Sequence, residues 1–428
     1  MKNLFELFYE TSGVCTDTRK IEKDCLFICL KGDKFNGNTF ANQAIEAGAK
    51  FVIVDEHQFA NSSSIHYVEN SLLFLQQLAN YHRKKFQIPF IGITGSNGKT
   101  STKELINEVL SKKYNVLATI GNLNNHIGVP LTLLRLTEDH EIAIIEMGAN
   151  RFKDIEELCQ IAEPTHAIIT NIGKAHLEGF GNFEGVLKTK KELYDSVEKI
   201  NGAIIYNSDD SILENNLPKN VTLLSYGTED DADIKGALIG LTPYVKLIWK
   251  QNNYSSPVLE TKMVGKYNFY NYLAAISFGV CFDVPFEQIN QAICNYTPEN
   301  NRSQVKKTTK NTLILDCYNA NPTSMRSALE SFAMLDQGNK LFIIGDMLEL
   351  GDQAINEHRN ILSFIENNHL SGYTVGKLFK EQTSNNVLQS FETAEELRNH
   401  LVTHPIENTF VLLKGSRGIK LEIVENVL

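Results

Sequence analysis

The sequence predicts an α/β protein of three domains, with a central parallel sheet of the phosphate-loop type and a C-terminal Rossmann-like unit. Three observations carry this. The chain has 428 residues, and at roughly 100–200 residues per domain it has room for about three. Short apolar runs alternate with helical stretches through its second and third parts, as in doubly wound sheets. A glycine-rich turn, GITGSNGKTST at 92–102, joins one such run to a helix.

The first block, 1–86, places strands at CLFICL (25–30) and KFVIVDE (50–56), with the helical stretch NTFANQAIEAGA between them and the polar loop KGDKFNGN leading into it. The second block, 87–298, opens with Pro89, a short apolar strand, the glycine-rich turn and a helix from about Thr100. Further buried strands are expected at EIAIIEMG (141–148), HAIITNIG (166–173) and GAIIYN (202–207). Residues 221–262 show hairpin-like alternation, and NFYNYLAAISFGVCF reads as a helix. The third block, 299–428, repeats the α/β pattern with strands at NTLILDCYN, KLFIIGDM and NTFVLLKG.

Composition narrows the class. The chain is 42% hydrophobic and 21% charged, ordinary values for a globular protein. A net charge of -10 argues against a general nucleic-acid binder, though not against a local phosphate pocket. The N-terminal MKNLFELFYETSG lacks a signal peptide's apolar stretch, and no run of about 20 apolar residues could span a bilayer. The 7 cysteines are scattered without a CxxC pair, and read as free thiols in a reducing cytosol. A cytoplasmic protein is the expectation.

The turn departs from the usual phosphate-loop pattern, which asks for glycine five positions before Gly98, where Ile93 stands. Its chemistry survives. Strand, glycine turn and helix N-terminus together form an anion site, because unpaired backbone N–H groups and the helix dipole meet there. Gly95 and Gly98 let the backbone wrap phosphate oxygens, Lys99 neutralises the β/γ phosphates, and Thr100 offers its hydroxyl to Mg²⁺. Glu146, at the end of an apolar strand, is a candidate for a second Mg²⁺-ligating side chain.

Taken together, these stretches resemble the Mur ligase family, whose TGxNGKT loop accounts for the displaced glycine. GNLNNHIGVPLTLLRL (121–136), IIEMGAN (144–150), NIGKAHLEGFG (171–181), LDCYNANPTSMRSAL (315–329), GDMLELG (345–351) and LLKGSRG (412–418) resemble its D-alanyl-D-alanine-adding branch. The DNPR-like motif expected of a tripeptide-forming sister is absent, and YNANPTSMRSAL separates the chain from folate-type ligases. A nucleotide-dependent binding protein without catalysis would not need Lys99, Thr100, Glu146, His176 and Lys190 together.

The resemblance implies three domains holding a uridine nucleotide, ATP and the incoming dipeptide in turn. It implies UDP-N-acetylmuramoyl-tripeptide and D-alanyl-D-alanine as substrates, and ATP with two Mg²⁺ ions. A monomer with no nucleic-acid partner and no membrane span is expected. On the ATP side it assigns Gly95, Ser96, Asn97, Gly98, Lys99, Thr100 and Ser101 to the loop, and Asn268 and Asn271 to adenine. Arg302 is assigned to the γ-phosphate, Asp316 to ribose, and Asn319 to the adjoining loop. Thr100, Glu146 and His176 become metal ligands. A lysine in GVLKTKKELYDSV becomes a CO₂-derived carbamate, and its spacing to Glu-Leu-Tyr selects Lys190 over Lys188 and Lys191. On the substrate side Thr16, Asp17, Thr18 and Arg19 meet the uridine diphosphate. Asn124 and Asn125 line the way to the peptide, and Asn321, Lys414 and Ser416 face the dipeptide. Tyr267 stands where the family's pattern has His.

Overall fold

The computed structural model describes residues 4–299, 301–335, 338–383 and 388–428. Its contacts divide the chain into two compact units, one of Met1–Gly92, Tyr114–Ala149 and Lys153–His166, the other of Ile93–Lys113, Asn150–Phe152 and Ala167–Leu428. Among the described residues no helix is long and apolar enough to cross a membrane.

The first unit opens with a four-stranded sheet in the order Val14–Cys15, Leu26–Ile28, Phe51–Val54, Ile65–Tyr67, all parallel. Phe27, Cys29, Val52 and Val54 turn into one apolar cluster with Ala41 and Ala44 of the helix Ala41–Glu46. The polar loop between strand and helix contains a short antiparallel pair, Lys31–Gly32 against Phe35–Asn36. Helix Ser71–Arg83 begins where the Asn70 side chain accepts the Leu73 N–H at 2.9 Å. It packs on Gly128–Leu133 and Asp154–Ala162. Strand Ile142–Glu146 is buried at every position and runs parallel to Val116–Ala118. A run buried on both faces cannot alternate, which is why IAIIE reads as a continuous apolar stretch.

The second unit holds the phosphate-loop helix Lys99–Leu110, packed along Tyr267–Cys281. Strands Ala203–Asn207, Thr222–Gly227 and Ile234–Gly240 pair in parallel, and Tyr244–Gln251 returns antiparallel and pairs with Leu259–Val264. The expected alternation at 221–262 is thus a real mixed edge. Trp249, the chain's single tryptophan, is fully buried there, its indole N–H on Asn290 at 2.7 Å. A six-stranded sheet follows, in the order Gln304–Lys307, Thr312–Asp316, Phe410–Lys414, Lys340–Gly345, Gly372–Val375, Gln389–Phe391. Only its first pair is antiparallel. Apolar clusters lie on both faces of this sheet. Its strands at 312–316, 410–414 and 340–345 end side by side, so the loops after Asp316, Lys414 and Gly345 share one rim, the usual place for ligands in open α/β sheets.

Candidate active site

The phosphate loop is built on two glycines whose backbones leave no room for a side chain. Gly95 has φ 141°, and a methyl group there would lie 2.0 Å from Thr170 Oγ1. Gly98 has φ 80°, and its methyl would meet Asn271 Oδ1 at 2.8 Å. The helix starts at Lys99, one residue before the position read from the sequence, with Gly98 as its left-handed N-cap.

The segment after strand His166–Ile169 holds the loop from outside. Ser96 N–H donates to the Asn171 carbonyl at 3.0 Å and Asn97 N–H to Asn171 Oδ1 at 3.0 Å. Thr170 Oγ1 and Asn171 Nδ2 both donate to the Asn97 carbonyl, at 2.6 and 2.9 Å. Ser96 Oγ accepts the Gly173 N–H at 2.9 Å. Lys99 folds back so that Nζ donates to the Gly95 carbonyl at 2.7 Å, which keeps the ammonium over the loop. Thr100 and Ser101 are buried in the first helical turn.

Asn268 and Asn271 lie beneath this loop. Thr102 Oγ1 donates to Asn271 Oδ1 at 3.1 Å, Asn271 Nδ2 to Asn268 Oδ1 at 2.8 Å, and Asn268 Nδ2 to the Val264 carbonyl at 2.7 Å. Both are buried. In this arrangement they act as loop supports, both from the first turn and a half of helix Tyr267–Cys281.

The six-stranded sheet reaches the same loop. Asn321 caps helix Pro322–Ala333 in a capping box with Ser324, and its Nδ2 donates to Asn97 Oδ1 at 2.7 Å. Lys174 N–H donates to Thr323 Oγ1 at 3.1 Å, and Lys174 Nζ pairs with Glu357 at 2.7 Å. His176 Nδ1 pairs with Glu349 at 2.7 Å, which holds the Glu349 carboxyl below its usual range. The ring of Phe180 lies 6.3 Å from the His176 ring and 5.7 Å from Lys190 Nζ, so His176 and Lys190 face one aromatic side chain. Of the three candidate lysines, Lys190 is buried, Lys188 is exposed and Lys191 pairs with Asp195 at 2.5 Å.

Asp316 is fully engaged. It pairs with buried Lys414 at 2.7 Å and also accepts from Tyr267 Oη and Ser303 N–H, both at 3.4 Å. Tyr267 Oη and Ser303 Oγ share a hydrogen at 2.9 Å, and burial, with Asp316 beside it, pushes the phenol well above its ordinary range. The Arg302 guanidinium lies 3.6 Å over the Tyr318 ring. Ser416 Oγ accepts the Leu348 N–H at 3.0 Å, tying two loops of the rim. Asn319 is exposed and bonds its neighbour's N–H.

The first unit holds the remaining positions. Asn124 Nδ2 donates to Glu146 Oε1 at 2.7 Å, and Glu146 N–H donates to Thr119 Oγ1 at 3.0 Å. Asn125 Oδ1 accepts the Ile127 and Gly128 N–H groups and so starts the next helix. Asp17 takes Arg19 Nε and Nη2 at 2.9 and 2.7 Å, and these bonds hold its carboxyl far below the ordinary range. Two of the guanidinium's five donors are used, leaving three for an anion. Thr16 and Thr18 flank this pair, Thr18 opening the short helical turn that Asp17 caps. The sequence reading missed Thr170, Asn171, Lys174, Glu349 and Glu357; the first three lie in or beside NIGKAHLE, the last two in or just after GDMLELG.

Comparison with known proteins places three family models end to end along the chain. The Mur ligase family catalytic domain matches residues 10–83, the Mur ligase middle domain 93–279, and the Mur ligase glutamate ligase domain 301–417. The UDP-N-acetylmuramoyl-tripeptide--D-alanyl-D-alanine ligase of Bacillus subtilis is 35% identical, over 97% of this chain and 93% of the relative. The enzyme of that name from Escherichia coli is 32% identical over the same shares. Among solved structures, MurF from Acinetobacter baumannii superposes with a TM-score of 0.88 at 30% identity, covering 98% of this chain and 97% of the other. MurF from Thermotoga maritima, solved with ADP, gives 0.87 at 26% identity, covering 100% and 98%.

Proposed function

We propose that this chain, which belongs to the Mur ligase family, is an ATP-dependent ligase joining D-alanyl-D-alanine to UDP-N-acetylmuramoyl-tripeptide. The products are the UDP-N-acetylmuramoyl-pentapeptide, ADP and phosphate. The observation that carries this is the Gly95–Thr100 loop, braced by Asn171 and reached by Asn321 from the helix cap of the last domain. The curated relatives bearing this name match along nearly their whole length, which supports the substrate pair.

The chemistry has two steps. A tripeptide carboxylate oxygen attacks the γ-phosphorus of ATP, giving an acyl phosphate and ADP. The dipeptide amine then attacks the acyl carbon, phosphate leaves and an amide forms. The first step brings like charges together. At ~4 Å and an effective dielectric of ~20, each unit pair costs about 4 kcal/mol. Preorganised positive charge must offset this, and little covalent work is left to the protein. Lys99, the helix N-terminus and Arg302 are the groups we assign to that task. Asn319 completes the ATP side. Thr16–Arg19 are assigned to the diphosphate of the substrate, where Arg19 keeps donors to spare beyond Asp17. Asn124 and Asn125 are assigned to the peptide path, and Lys414 and Ser416 to the dipeptide.

Mg²⁺ would supply the rest of the positive charge. Thr100 and Glu146 are assigned to one Mg²⁺, and His176 to a second. Lys190 belongs to this set only after modification, because an ammonium repels a cation whereas its carbamate presents oxygen. Its burial beside Phe180 distinguishes it from Lys188 and Lys191 and supports the assignment. Protein equilibrated with ¹³C-bicarbonate should show a carbamate carbon resonance that Lys190→Ala abolishes; an unchanged spectrum would remove the assignment.

A division at 1–86, 87–298 and 299–428, a cytoplasmic location and a monomeric state complete the reading. The test is phosphate release by the purified chain with ATP. Release should require both UDP-N-acetylmuramoyl-tripeptide and D-alanyl-D-alanine, and release that ignores either substrate would refute the ligase reading.

A further inference from the structure

We propose that Glu349 is a positioning residue for His176, holding Nδ1 so that the lone pair falls on Nε2, the nitrogen that would bind Mg²⁺, and that this ligand is complete only when the 345–351 loop rests on the 173–180 segment. The inference rests on the reading of His176 as a Mg²⁺ ligand. Glu349 lies in the loop after strand Lys340–Gly345 of the six-stranded sheet, whereas His176 precedes the short helix Leu177–Phe180. Their side chains meet at 2.7 Å through Nδ1.

Two further features accompany this meeting. His176 has φ 50° and Glu349 φ 64°, a left-handed conformation that non-glycine residues adopt at a cost. The segments also touch through their main chains. Glu178 N–H donates to the Glu349 carbonyl at 3.5 Å, and the Gly351 backbone packs on Glu178. Lys174, on the same segment, is held by Thr323 and Glu357. The contact is therefore one of several ties between 173–180 and the sheet's loops and helices.

The chemistry follows from the two ring nitrogens. A neutral imidazole has one N–H and one lone pair. When Nδ1–H donates to a carboxylate, the lone pair sits on Nε2, the ring is oriented and its basicity rises. Without Glu349 the proton is free to move to Nε2, and the ligand is lost for that fraction of molecules.

The test uses the full chain with ¹⁵N-histidine. Long-range ¹H–¹⁵N spectra at mildly alkaline pH should show the Nδ1–H form in the unsubstituted protein and a shift toward Nε2–H in Glu349→Ala. Mn²⁺ affinity of the ADP-loaded protein, read by electron paramagnetic resonance, should fall about 10–100-fold in Glu349→Ala. Glu349→Gln, whose amide oxygen still accepts from Nδ1–H, should keep most of the affinity. An Nε2–H ring in the unsubstituted protein, or Glu349→Ala with unchanged Mn²⁺ affinity while His176→Ala is weakened, would overturn the role of Glu349. Unchanged affinity in His176→Ala would instead overturn the ligand reading beneath it.

Discussion

Gly95→Ala tests whether the loop is held by the braces the structure shows. The new methyl would sit 2.0 Å from Thr170 Oγ1 and 3.0 Å from the Thr170 backbone nitrogen. The backbone nitrogen cannot move far, so the hydroxyl swings away and its 2.6 Å bond to the Asn97 carbonyl is lost. That bond is worth about 1 kcal/mol, and the positive φ adds at least ~1 kcal/mol of strain for an L-residue. A loop that relaxes out of its nucleotide-ready shape must recover this energy on binding. ADP affinity, measured by titration calorimetry, should therefore weaken by about 30-fold, the equivalent of ~2 kcal/mol. Thr170→Ala alone loses only the hydrogen bond and should weaken binding about fivefold. The double variant loses the same bond once and has no hydroxyl to clash. It should stay near a 30-fold loss instead of the roughly 150-fold product expected of independent sites. A double variant at the full product would refute the reasoning, because Thr170 would then not be what constrains Gly95.

Three other outcomes are expected. Lys414→Met strands the Asp316 carboxylate, largely buried with only Tyr267 and Ser303 as donors, and should cost about 3–5 kcal/mol in urea unfolding; Lys414→Met with Asp316→Asn should recover most of it. His166 is held to a pKa of about 4 by burial. Its unfolded form protonates near 6.5 while the native form stays neutral. Stability therefore falls as pH drops from about 6.5 to 4, by up to ~3 kcal/mol, and His166→Gln should flatten that slope in unfolding midpoints taken across the range. Asn321→Ala should lose the helix cap, about 1 kcal/mol, together with the Asn97 contact. Asn321→Asp keeps the cap, so weakened ADP binding in both variants would assign the effect to Asn97, and weakening in Ala alone would assign it to the cap.

The parts legible in the sequence are those that repeat a local rule. Buried parallel strands show as apolar runs, and IAIIE, HAII and TLILD were readable for that reason. Gly95, Gly98 and Lys99 were readable because a turn at positive φ beside a helix start leaves few residue choices. The braces were not. Thr170 and Asn171 are more than 70 positions from the loop they hold, and nothing local marks them as its partners. Glu349 lies within a quoted motif, yet its partner His176 lies in another, and only the fold joins them. Asn268 and Asn271 were found through the resemblance, but their hydrogen bonds to each other and to Thr102 beneath the loop were not, because Thr102 is far from them in sequence.

Asp316 and Lys414 carry the same lesson into energetics. The resemblance assigns one to ribose and the other to the dipeptide, which treats them as independent contacts. In the fold they are each other's counter-ion, at 2.7 Å, with the Lys414 side chain 3% exposed. A nucleotide that draws Asp316 away leaves a buried ammonium with less compensation, and such a charge is costly until an anion replaces the carboxylate. The dipeptide's own carboxylate has the required sign. On those two assignments, separating the pair would be a cost met by whichever ligand arrives first and spared the second, which would be positive coupling between two sites without any new contact between their ligands. On the proposed reaction this favours a filled site over a half-filled one, because neither ligand alone leaves both charges satisfied. The Tyr267 and Ser303 hydrogen bonds limit how far Asp316 can turn, so the coupling runs through a carboxylate already anchored on its other side.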